Sequence, residues 1–166
     1  RTGITYSTSG PDPMVFFGDV IGNVYGLNAN TGEKMWRTRA DDHPNATITG
    51  TPSLNNNMLY VPVSSLEVSL AINPDYECCT FRGSVTAMNA TTGEIQWKTF
   101  TIEEEPAVTG QNTVGTNIVG PSGAVVWNSP SIDVINNQLY VGTGENMSSP
   151  ASLTSDAMLA MDLDSG

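Results

Sequence analysis

Short apolar runs separated by polar turns are the dominant pattern of this chain. Val, Ile, Tyr and Phe cluster in short strands that are bounded by Gly, Pro, Asn and Ser, and no window keeps a helical period. In Val24–Leu27 and Val85–Met88, apolar residues point to both sides of the strand, as in a sheet that is covered on each face. The sequence therefore predicts an all-β chain whose sheets pack against neighbours on both sides.

A strand–turn–strand unit recurs along the chain. Gly22–Trp36 and Gly83–Trp97 are near copies, each with a tight turn that ends in glycine (Gly32 or Gly93) and a second strand that carries one Trp. This is the turn chemistry of a β-hairpin. A third copy begins at Asp156 and reaches the last residue, Gly166, without its Trp.

An earlier hairpin recurs as well, because Thr51–Pro62 resembles Ser129–Gly142, and 1 to about 18 holds a degenerate first version. Two hairpins make a four-stranded antiparallel unit, which must stack radially as a propeller blade or pair in a sandwich. The two-sided apolar strands favour the propeller. We predict a partial β-propeller with blades at about 1–40, 48–101 and 124–166, the last incomplete.

The repeat is interrupted by two long insertions. The second and third strands are joined by only Asp19–Gly22 in the first unit, but by Ser64–Arg82 in the second and Thr143–Ser155 in the third. Long loops on a compact repeat are common places for binding sites. We therefore expect the chemistry of this protein to lie in the insertions.

Composition narrows the classes of partner. The 166 residues are 39% hydrophobic, enough for a core, and carry 6 Lys and Arg against 17 Asp and Glu, a net charge of -11. This balance argues against a nucleic-acid partner and suits cations. No apolar run approaches the roughly 20 residues of a membrane span. Because the chain starts and stops inside the repeat pattern, we expect an interior segment of a longer polypeptide.

Two cysteines and one histidine invite chemical interpretation. Cys78 and Cys79 are adjacent, so they form either a strained vicinal disulfide or two small apolar thiols. Zinc is not indicated, because this pair and a distant His43 do not match tetrahedral ligand spacing. We expect His43 to be a solvated loop residue.

Other polar and aromatic residues, within the insertions and outside them, are further candidates. Glu67 and Asn146 are either oxygen ligands for a hard cation such as Ca²⁺ or ordinary loop residues. Trp127 is either a core residue or an aromatic platform for a flat ligand. The carboxylate run Glu103–Glu105 is either a solvated loop or a docking patch for a basic partner.

These motifs together resemble a known family. The blade ending Asn-Ala-x-Thr-Gly-Glu-x-x-Trp is similar to the tryptophan-docking repeat of quinoprotein dehydrogenases, eight-bladed propellers that hold pyrroloquinoline quinone (PQQ) and usually Ca²⁺. The segments Tyr76–Gly83, Gly120–Pro130 and Gly142–Pro150 resemble the polyvinyl alcohol dehydrogenase branch. The resemblance implies that the chain is about three blades of an eight-bladed propeller.

The resemblance also implies roles for individual residues. Cys78 and Cys79 match a vicinal disulfide that covers one face of the quinone, and Trp127 matches the tryptophan beneath the other face. Arg82, from the same motif as the cysteines, is assigned to cofactor binding. Glu67 matches a carboxylate ligand of the metal and Asn146 an amide ligand.

The activity implied is the oxidation of a secondary or polymeric alcohol by hydride transfer to the quinone, with Ca²⁺ as Lewis acid. By resemblance, the catalytic Asp belongs to the next blade, so the 166 residues are expected to be inactive alone. The implied electron acceptor is a cytochrome c, and the implied location is the bacterial periplasm or the exterior. Two alternatives remain: a non-enzymatic propeller, such as the outer-membrane assembly lipoproteins, and a sugar or aldose dehydrogenase of a related class.

Overall fold

The fold was taken from a computed structural model, which describes residues 2–8, 10 and 12–166. Arg1, Ser9 and Pro11, which belong to the predicted first hairpin, lie outside the described residues. Among the described residues, antiparallel strands dominate and the single helix is a short 3₁₀ segment. The prediction of an all-β fold is confirmed.

The first sheet follows the chain without crossovers. Its antiparallel strands are β1 (Thr5–Ser7), β2 (Met14–Gly18), β3 (Asn23–Asn28) and β4 (Lys34–Arg39). The degenerate first hairpin of the sequence is β1 and β2, paired from Thr5 with Phe16 onward. The predicted repeat unit is therefore a complete four-stranded sheet here.

The second sheet repeats this order around a longer central strand. Its strands are β5 (Ala46–Thr47), β6 (Ser53–Asn55), β7 (Met58–Ser65), β8 (Ser84–Asn89) and β9 (Ile95–Phe100). Strand β7 pairs with β8 and also with both β6 and the two-residue β5. The first insertion leaves the end of β7 and contains the 3₁₀ helix, Glu67–Ile72.

Two small ladders lie between the second and third sheets. One is a hairpin of β10 (Ala107–Gln111) and β11 (Asn117–Gly120), which the sequence analysis did not predict. The other pairs β12 (Ser122–Gly123) with a strand of the second insertion, Asn146–Ser148. Both ladders bring residues of the insertions into the fold.

The third sheet has three strands among the described residues. They are β13 (Ser131–Asp133), β14 (Gln138–Gly142) and β16 (Met158–Asp162). The Asn146–Ser148 strand of the second insertion, which pairs with β12, is β15. Strand β14 occupies the centre, as β7 does in the second sheet. The blade bounds at about 1–40, 48–101 and 124–166 stay a prediction.

The repeated Trp residues fasten each sheet to the next one. The Trp36 indole, 8% exposed, donates from Nε1 to the Ala90 carbonyl at 2.9 Å, in the turn of the second sheet. A Cβ on Gly93 would lie 2.6 Å from this indole, so the turn glycine makes room for it. In the same way, Trp97 donates to the Leu163 carbonyl of the third sheet at 3.3 Å.

The apolar core is accordingly split between neighbouring sheets. One buried cluster joins the first two sheets through residues such as Phe16, Ile48 and Leu59. A second cluster joins the second sheet to the third and includes Tyr60 and Leu139. Radial stacking of sheets, each covered on both faces, is how propeller blades bury apolar strands.

Candidate functional site

The two insertions meet at Gly123 in strand β12. Gly123 donates to the Phe81 carbonyl at 2.8 Å, and its own carbonyl accepts the Gly83 amide at 2.8 Å. On its other side Gly123 pairs with Asn146 of β15, and the adjacent Ala124 donates to the Glu145 carbonyl at 2.9 Å. One short strand therefore joins the insertion that carries the cysteines to the one that carries Asn146.

Only glycine fits at this junction. Gly123 has a φ of +106°, and a Cβ on it would lie 2.5 Å from both the Glu145 carbonyl oxygen and the Met147 amide nitrogen. Such a contact is much closer than atoms can pack, and the dihedral strains any other residue. The close approach of the two insertions depends on this residue.

Cys78 and Cys79 form a vicinal disulfide, as one of the two sequence hypotheses held. The ring is fixed to strand β11 by two backbone hydrogen bonds of 2.9 Å, since Cys79 donates to the Val119 carbonyl and Val119 donates to the Cys78 carbonyl. Cys79 is fully buried and Cys78 half-buried. The unpredicted β10–β11 hairpin is thus the support of the disulfide.

Glu67 follows strand β7 and is fully buried, at 0% exposure. Its carboxylate accepts the Phe81 amide at 2.7 Å, the Tyr76 hydroxyl at 3.0 Å and the Thr80 hydroxyl at 3.2 Å. The Thr80 amide is shared between both carboxylate oxygens, at 3.0 and 3.1 Å. All these donors flank the disulfide, so Glu67 holds the segment around it.

His43 reaches this carboxylate through Thr80. The ring Nδ1 accepts the Asn45 amide at 3.2 Å, which places the proton of the neutral ring on Nε2, and Nε2 lies 2.9 Å from the Thr80 hydroxyl. The His43 side chain is only 18% exposed and packs edge-on against Phe81. The expectation of a solvated loop residue was wrong, because the 64–82 insertion folds back over the linker that carries His43.

Tyr76 completes the network. Its hydroxyl donates to Glu67 and accepts a hydrogen bond from the Asn45 side-chain amide at 3.3 Å. Burial, together with the hydrogen bond to the negative Glu67, raises the pKa of the Tyr76 phenol above its usual value. The phenol therefore stays protonated and acts as a donor to the carboxylate at neutral pH.

The negative charge of Glu67 lacks a matching cation in the described part of the chain. The ion pairs there join Arg82 to Glu105 and Lys98 to Asp41, whereas Glu67 has only His43 Nε2 at 3.9 Å. Buried charges are normally paired or bound to a metal. A cation that binds here would replace the bond from the Thr80 hydroxyl, which at 3.2 Å is the longest that Glu67 accepts. Glu67 thus fits a role as a metal ligand.

Asn146 offers a second oxygen on the other insertion. Its side-chain oxygen accepts one hydrogen bond, from the Ser152 amide at 3.2 Å, and a carbonyl oxygen can accept two. The neighbouring Glu145 is exposed, while Asn146 is half-buried in β15 opposite Gly123. No cluster of three His, Cys, Asp or Glu side chains suited to a metal occurs within residues 2–8, 10 and 12–166. Glu67 and Asn146 alone would be a partial ligand set.

Trp127 is 60% exposed, so its alternative as a core residue does not hold. The preceding Val126 donates to the Val63 carbonyl of β7 at 3.1 Å, shortly before that strand leads to Glu67. A Cβ on Gly144 would lie 3.4 Å from the indole Nε1, so the Gly142–Gly144 turn passes beside the ring. An exposed flat ring next to a glycine turn is suited to act as an aromatic platform for a flat ligand.

Arg82 is held by the segment after β9. Its guanidinium donates to the Glu103 carbonyl at 2.9 Å, pairs with the Glu105 carboxylate at 2.6 Å and lies 4.0 Å from the centre of the Phe100 ring. The Arg82 backbone bridges to Gly123. Arg82 is thus a partner of the Glu103–Glu105 run. Its guanidinium binds groups of the same chain, and its backbone contributes to the junction at Gly123.

Two cavities border these elements. A cleft of about 210 Å³ lies beside the disulfide and is lined by residues that include Tyr76, Cys78, Ile118 and Met147. A larger cavity, of about 480 Å³, lies between strands β9 and β16. The smaller cavity is lined by Cys78, and neither of the two is lined by Trp127.

The geometry defines a class of protein: an arc of a β-propeller with a vicinal disulfide and a buried carboxylate in one insertion and an exposed indole before strand β13. The sequence family PQQ_2, described as Outer membrane protein assembly factor BamB, matches residues 2–136. The chain belongs to this family of propeller repeats.

The curated proteins that the chain resembles include dehydrogenases. The chain is 37% identical to a polyvinylalcohol dehydrogenase of Pseudomonas sp over 152 residues, 92% of this chain and 24% of that protein. It is 38% identical to the polyvinylalcohol dehydrogenase of Sphingopyxis sp. strain 113P3, with 92% and 23% covered. The resemblance to this branch of the PQQ-dependent alcohol dehydrogenases is confirmed. The chain spans about a quarter of the length of these relatives.

Solved structures agree on the fold. The quinohemoprotein alcohol dehydrogenase ADHIIG from Pseudomonas putida HK5 matches with a TM-score of 0.67 and 23% identity, covering 92% of this chain and 24% of that one. A europium-containing methanol dehydrogenase matches with a TM-score of 0.67 and 21% identity, covering 98% and 30%. The propeller architecture is therefore confirmed. In addition, no helix in the described residues is long and apolar enough to cross a bilayer.

Some residues of the site were missed from the sequence. Tyr76 and Thr80 were quoted only as parts of a motif, and Gly123 only as part of Gly120–Pro130. The one available signal was position, because Tyr76 and Thr80 flank the cysteines and each carries a hydroxyl donor. Nothing in the residue types indicates that these donors converge on Glu67.

Proposed function

We propose that this chain is part of a PQQ-dependent dehydrogenase that oxidises a secondary or polymeric alcohol. The observation that carries the proposal is the junction at Gly123, which joins the disulfide, Glu67 and Asn146 from two insertions into one substructure. A fully buried carboxylate at that place, with no Lys or Arg partner among the described residues, supports a metal-binding role. The polyvinylalcohol dehydrogenases that the chain resembles support the same class of substrate.

Each candidate residue has a role in this proposal. Trp127 supplies the flat apolar surface for one face of the quinone, and the Cys78–Cys79 ring covers the opposite face. Glu67 and Asn146 supply oxygen ligands for Ca²⁺. When bound, PQQ and Ca²⁺ supply the hydride acceptor and the Lewis acid.

Arg82 acts on the cofactor site mainly through the junction. Its backbone bridges to Gly123 and its guanidinium ties down the 102–105 segment, so its part in cofactor binding is to fix the wall of the site. None of the assigned residues is a general base for the alcohol proton. We therefore also propose that the 166 residues alone do not turn over alcohol, and that the full-length protein does.

The acidic composition bears on the charge expected of the electron acceptor. A net charge of -11 favours a basic partner, which is consistent with a cytochrome c of the bacterial periplasm. The exposed side of the Glu105 carboxylate, 82% accessible, offers one point of contact. This part of the proposal predicts electron transfer that slows as ionic strength rises.

Reconstitution tests the proposed activity. The full-length protein, stripped of metal and then supplied with PQQ and Ca²⁺, should reduce an artificial dye in the presence of a secondary alcohol. Omission of either PQQ or Ca²⁺ should abolish the reaction. Activity that requires neither would contradict the proposal.

A second candidate function is favoured by one observation: the matching family is described as an outer membrane protein assembly factor. A non-enzymatic binding or assembly propeller could share the Trp-docked blades. This candidate predicts that the full-length protein binds neither PQQ nor Ca²⁺. Measurement of PQQ binding by absorbance, before any assay of activity, separates the two functions.

A further inference from the structure

The Glu67 carboxylate joins both sides of the disulfide. Tyr76, which donates its hydroxyl, lies two residues before Cys78, and Thr80, which donates its amide, directly follows Cys79. The Phe81 amide adds the shortest of these bonds, 2.7 Å. The carboxylate therefore connects the two ends of the 76–81 segment through hydrogen bonds.

The same segment is attached on other sides as well. On the opposite side it is held by the paired backbone bonds between Cys78, Cys79 and Val119 of β11. At its end, the Phe81 carbonyl accepts the Gly123 amide. Glu67 therefore binds a segment that is connected to the support of the disulfide and to the Gly123 junction.

We propose that Tyr76 is a positioning residue for Glu67, and that cation binding at Glu67 and the ordering of the disulfide segment 76–81 are a single coupled event. This inference rests on the proposed function, because it takes Glu67 to be a metal ligand. Tyr76 fixes the orientation of the carboxylate and is itself fixed by the Asn45 amide. Partners that orient a ligand in this way strongly affect metal affinity.

Coupling follows from the number of donors. A carboxylate has about four lone-pair positions, and Tyr76, Phe81 and the two groups of Thr80 already compete for them. A cation enters only if this shell rearranges, and the bond from the Thr80 hydroxyl, the longest of the set at 3.2 Å, is the one it would replace. The remaining bonds then fix both the cation and the segment that carries the disulfide.

The chain provides a matched control. Tyr25 in the first sheet donates its hydroxyl to the Asp19 carboxylate at 2.8 Å, with the same chemistry and far from the insertions in sequence. Tyr25→Phe therefore removes a tyrosine–carboxylate hydrogen bond without touching the segment 76–81. Tyr76→Phe removes the corresponding bond at Glu67.

The first experiment measures Ca²⁺ affinity of the metal-stripped full-length protein by calorimetry. Tyr76→Phe should raise the Kd for Ca²⁺ by about tenfold to a hundredfold, Glu67→Gln by at least as much, and Tyr25→Phe should leave it unchanged. Unfolding midpoints in the presence of a chelator show whether each variant is folded. A Tyr76→Phe variant that is weakened in the chelator but binds Ca²⁺ normally would mean a purely structural role and overturn the inference.

The outcomes separate the two proposals. If the wild type does not bind Ca²⁺, or if Glu67→Gln binds it normally, the proposed metal site fails. If Glu67→Gln is weakened while Tyr76→Phe is not, the metal site stands and the positioning role of Tyr76 is wrong.

The second experiment measures hydrogen exchange at the Thr80 and Phe81 amides. If opening of this segment releases the cation, Ca²⁺ at 100 times its Kd should slow their exchange about a hundredfold. The Asn23 amide, which donates to Asp19, should keep its local rate. If the protein binds Ca²⁺ but the exchange rates of the Thr80 and Phe81 amides do not change, binding and ordering are separate events.

Discussion

Two carboxylates occupy corresponding places in successive blades. Asp19 directly follows β2 in the first sheet, and Glu67 follows β7 in the second, two residues after its end. Each accepts one tyrosine hydroxyl, from Tyr25 or Tyr76, together with backbone amides. The same device closes a four-residue turn in one blade and a long insertion in the other.

The difference lies in burial. Asp19 is half-buried, and its donors Ile21, Asn23 and Tyr25 come from the same turn and the strand that follows. Glu67 is fully buried, and its donors come from residues up to fourteen positions away in sequence. Acceptance of local donors is therefore an ordinary feature of this connection, whereas complete burial of the charge is particular to the insertion.

The comparison identifies what distinguishes a turn from a candidate metal site. Hydrogen bonds alone do not, since Asp19 has a similar set. A charge removed from water without a cationic partner does, because such a charge is costly unless it is paired or binds a metal. This contrast can be tested by removing each carboxylate in turn.

The largest expected effect is that of Glu67→Ala. It leaves several buried donors without an acceptor, and we expect a loss of about 3–5 kcal/mol in the free energy of unfolding. Asp19→Ala should cost about 1–2 kcal/mol, because water replaces the carboxylate as acceptor. Urea unfolding of the full-length protein in a chelator measures both without a contribution from bound metal. Equal losses would show that burial does not separate the two carboxylates.

Two glycine substitutions extend the comparison between the turn and the insertions to the backbone. Gly123→Ala forces a Cβ to within 2.5 Å of the second insertion, so we expect a loss of about 2–4 kcal/mol together with faster exchange at the Gly83 amide. Gly32→Ala also has a positive φ, +75°, but a Cβ there would meet nothing within 4 Å. It should cost only about 1 kcal/mol, for the dihedral alone. Similar losses for both variants would show that the junction tolerates a side chain.

The frame could be predicted from the sequence because it repeats. The turns around Gly32 and Gly93 and the residues Trp36 and Trp97 recur with local chemistry that determines hairpins, and the structure shows each Trp docked on the next turn. A repeat that cannot cover its own faces implies its neighbours. The propeller thus followed from short-range signals.

The site could be predicted only in part. Cys78–Cys79 and Glu67 stood out by residue type and position, whereas the roles of His43 and Tyr76 depend on a long insertion folding back onto a linker. The β10–β11 hairpin, which supports the disulfide, has exposed residues in β10 and a register shift, so its pattern was too weak to indicate strands. Contacts between insertions carry no periodic signal that a sequence can display.

The smallest expected effect concerns the pH dependence of the first carboxylate. Burial alone would raise the pKa of Asp19, but hydrogen bonds from Asn23, Tyr25 and Ile21 together lower the pKa below its usual value. A carboxyl whose pKa is lower in the folded state stabilises the fold above its unfolded pKa of about 3.9, and this contribution is lost as the pH falls through the folded value.

Asp19→Asn should therefore lose less stability than the wild type between pH 5 and pH 3, about one unit on either side of that unfolded pKa. Urea midpoints across this range provide the measurement. Asp42→Asn, which removes the same charge from an exposed residue of the linker after β4, controls for net charge. If the two variants show the same acid dependence, the hydrogen bonds to Asp19 do not favour its charged form. The turn would then be held by its backbone alone, and the likeness between Asp19 and Glu67 would be geometric without an electrostatic counterpart.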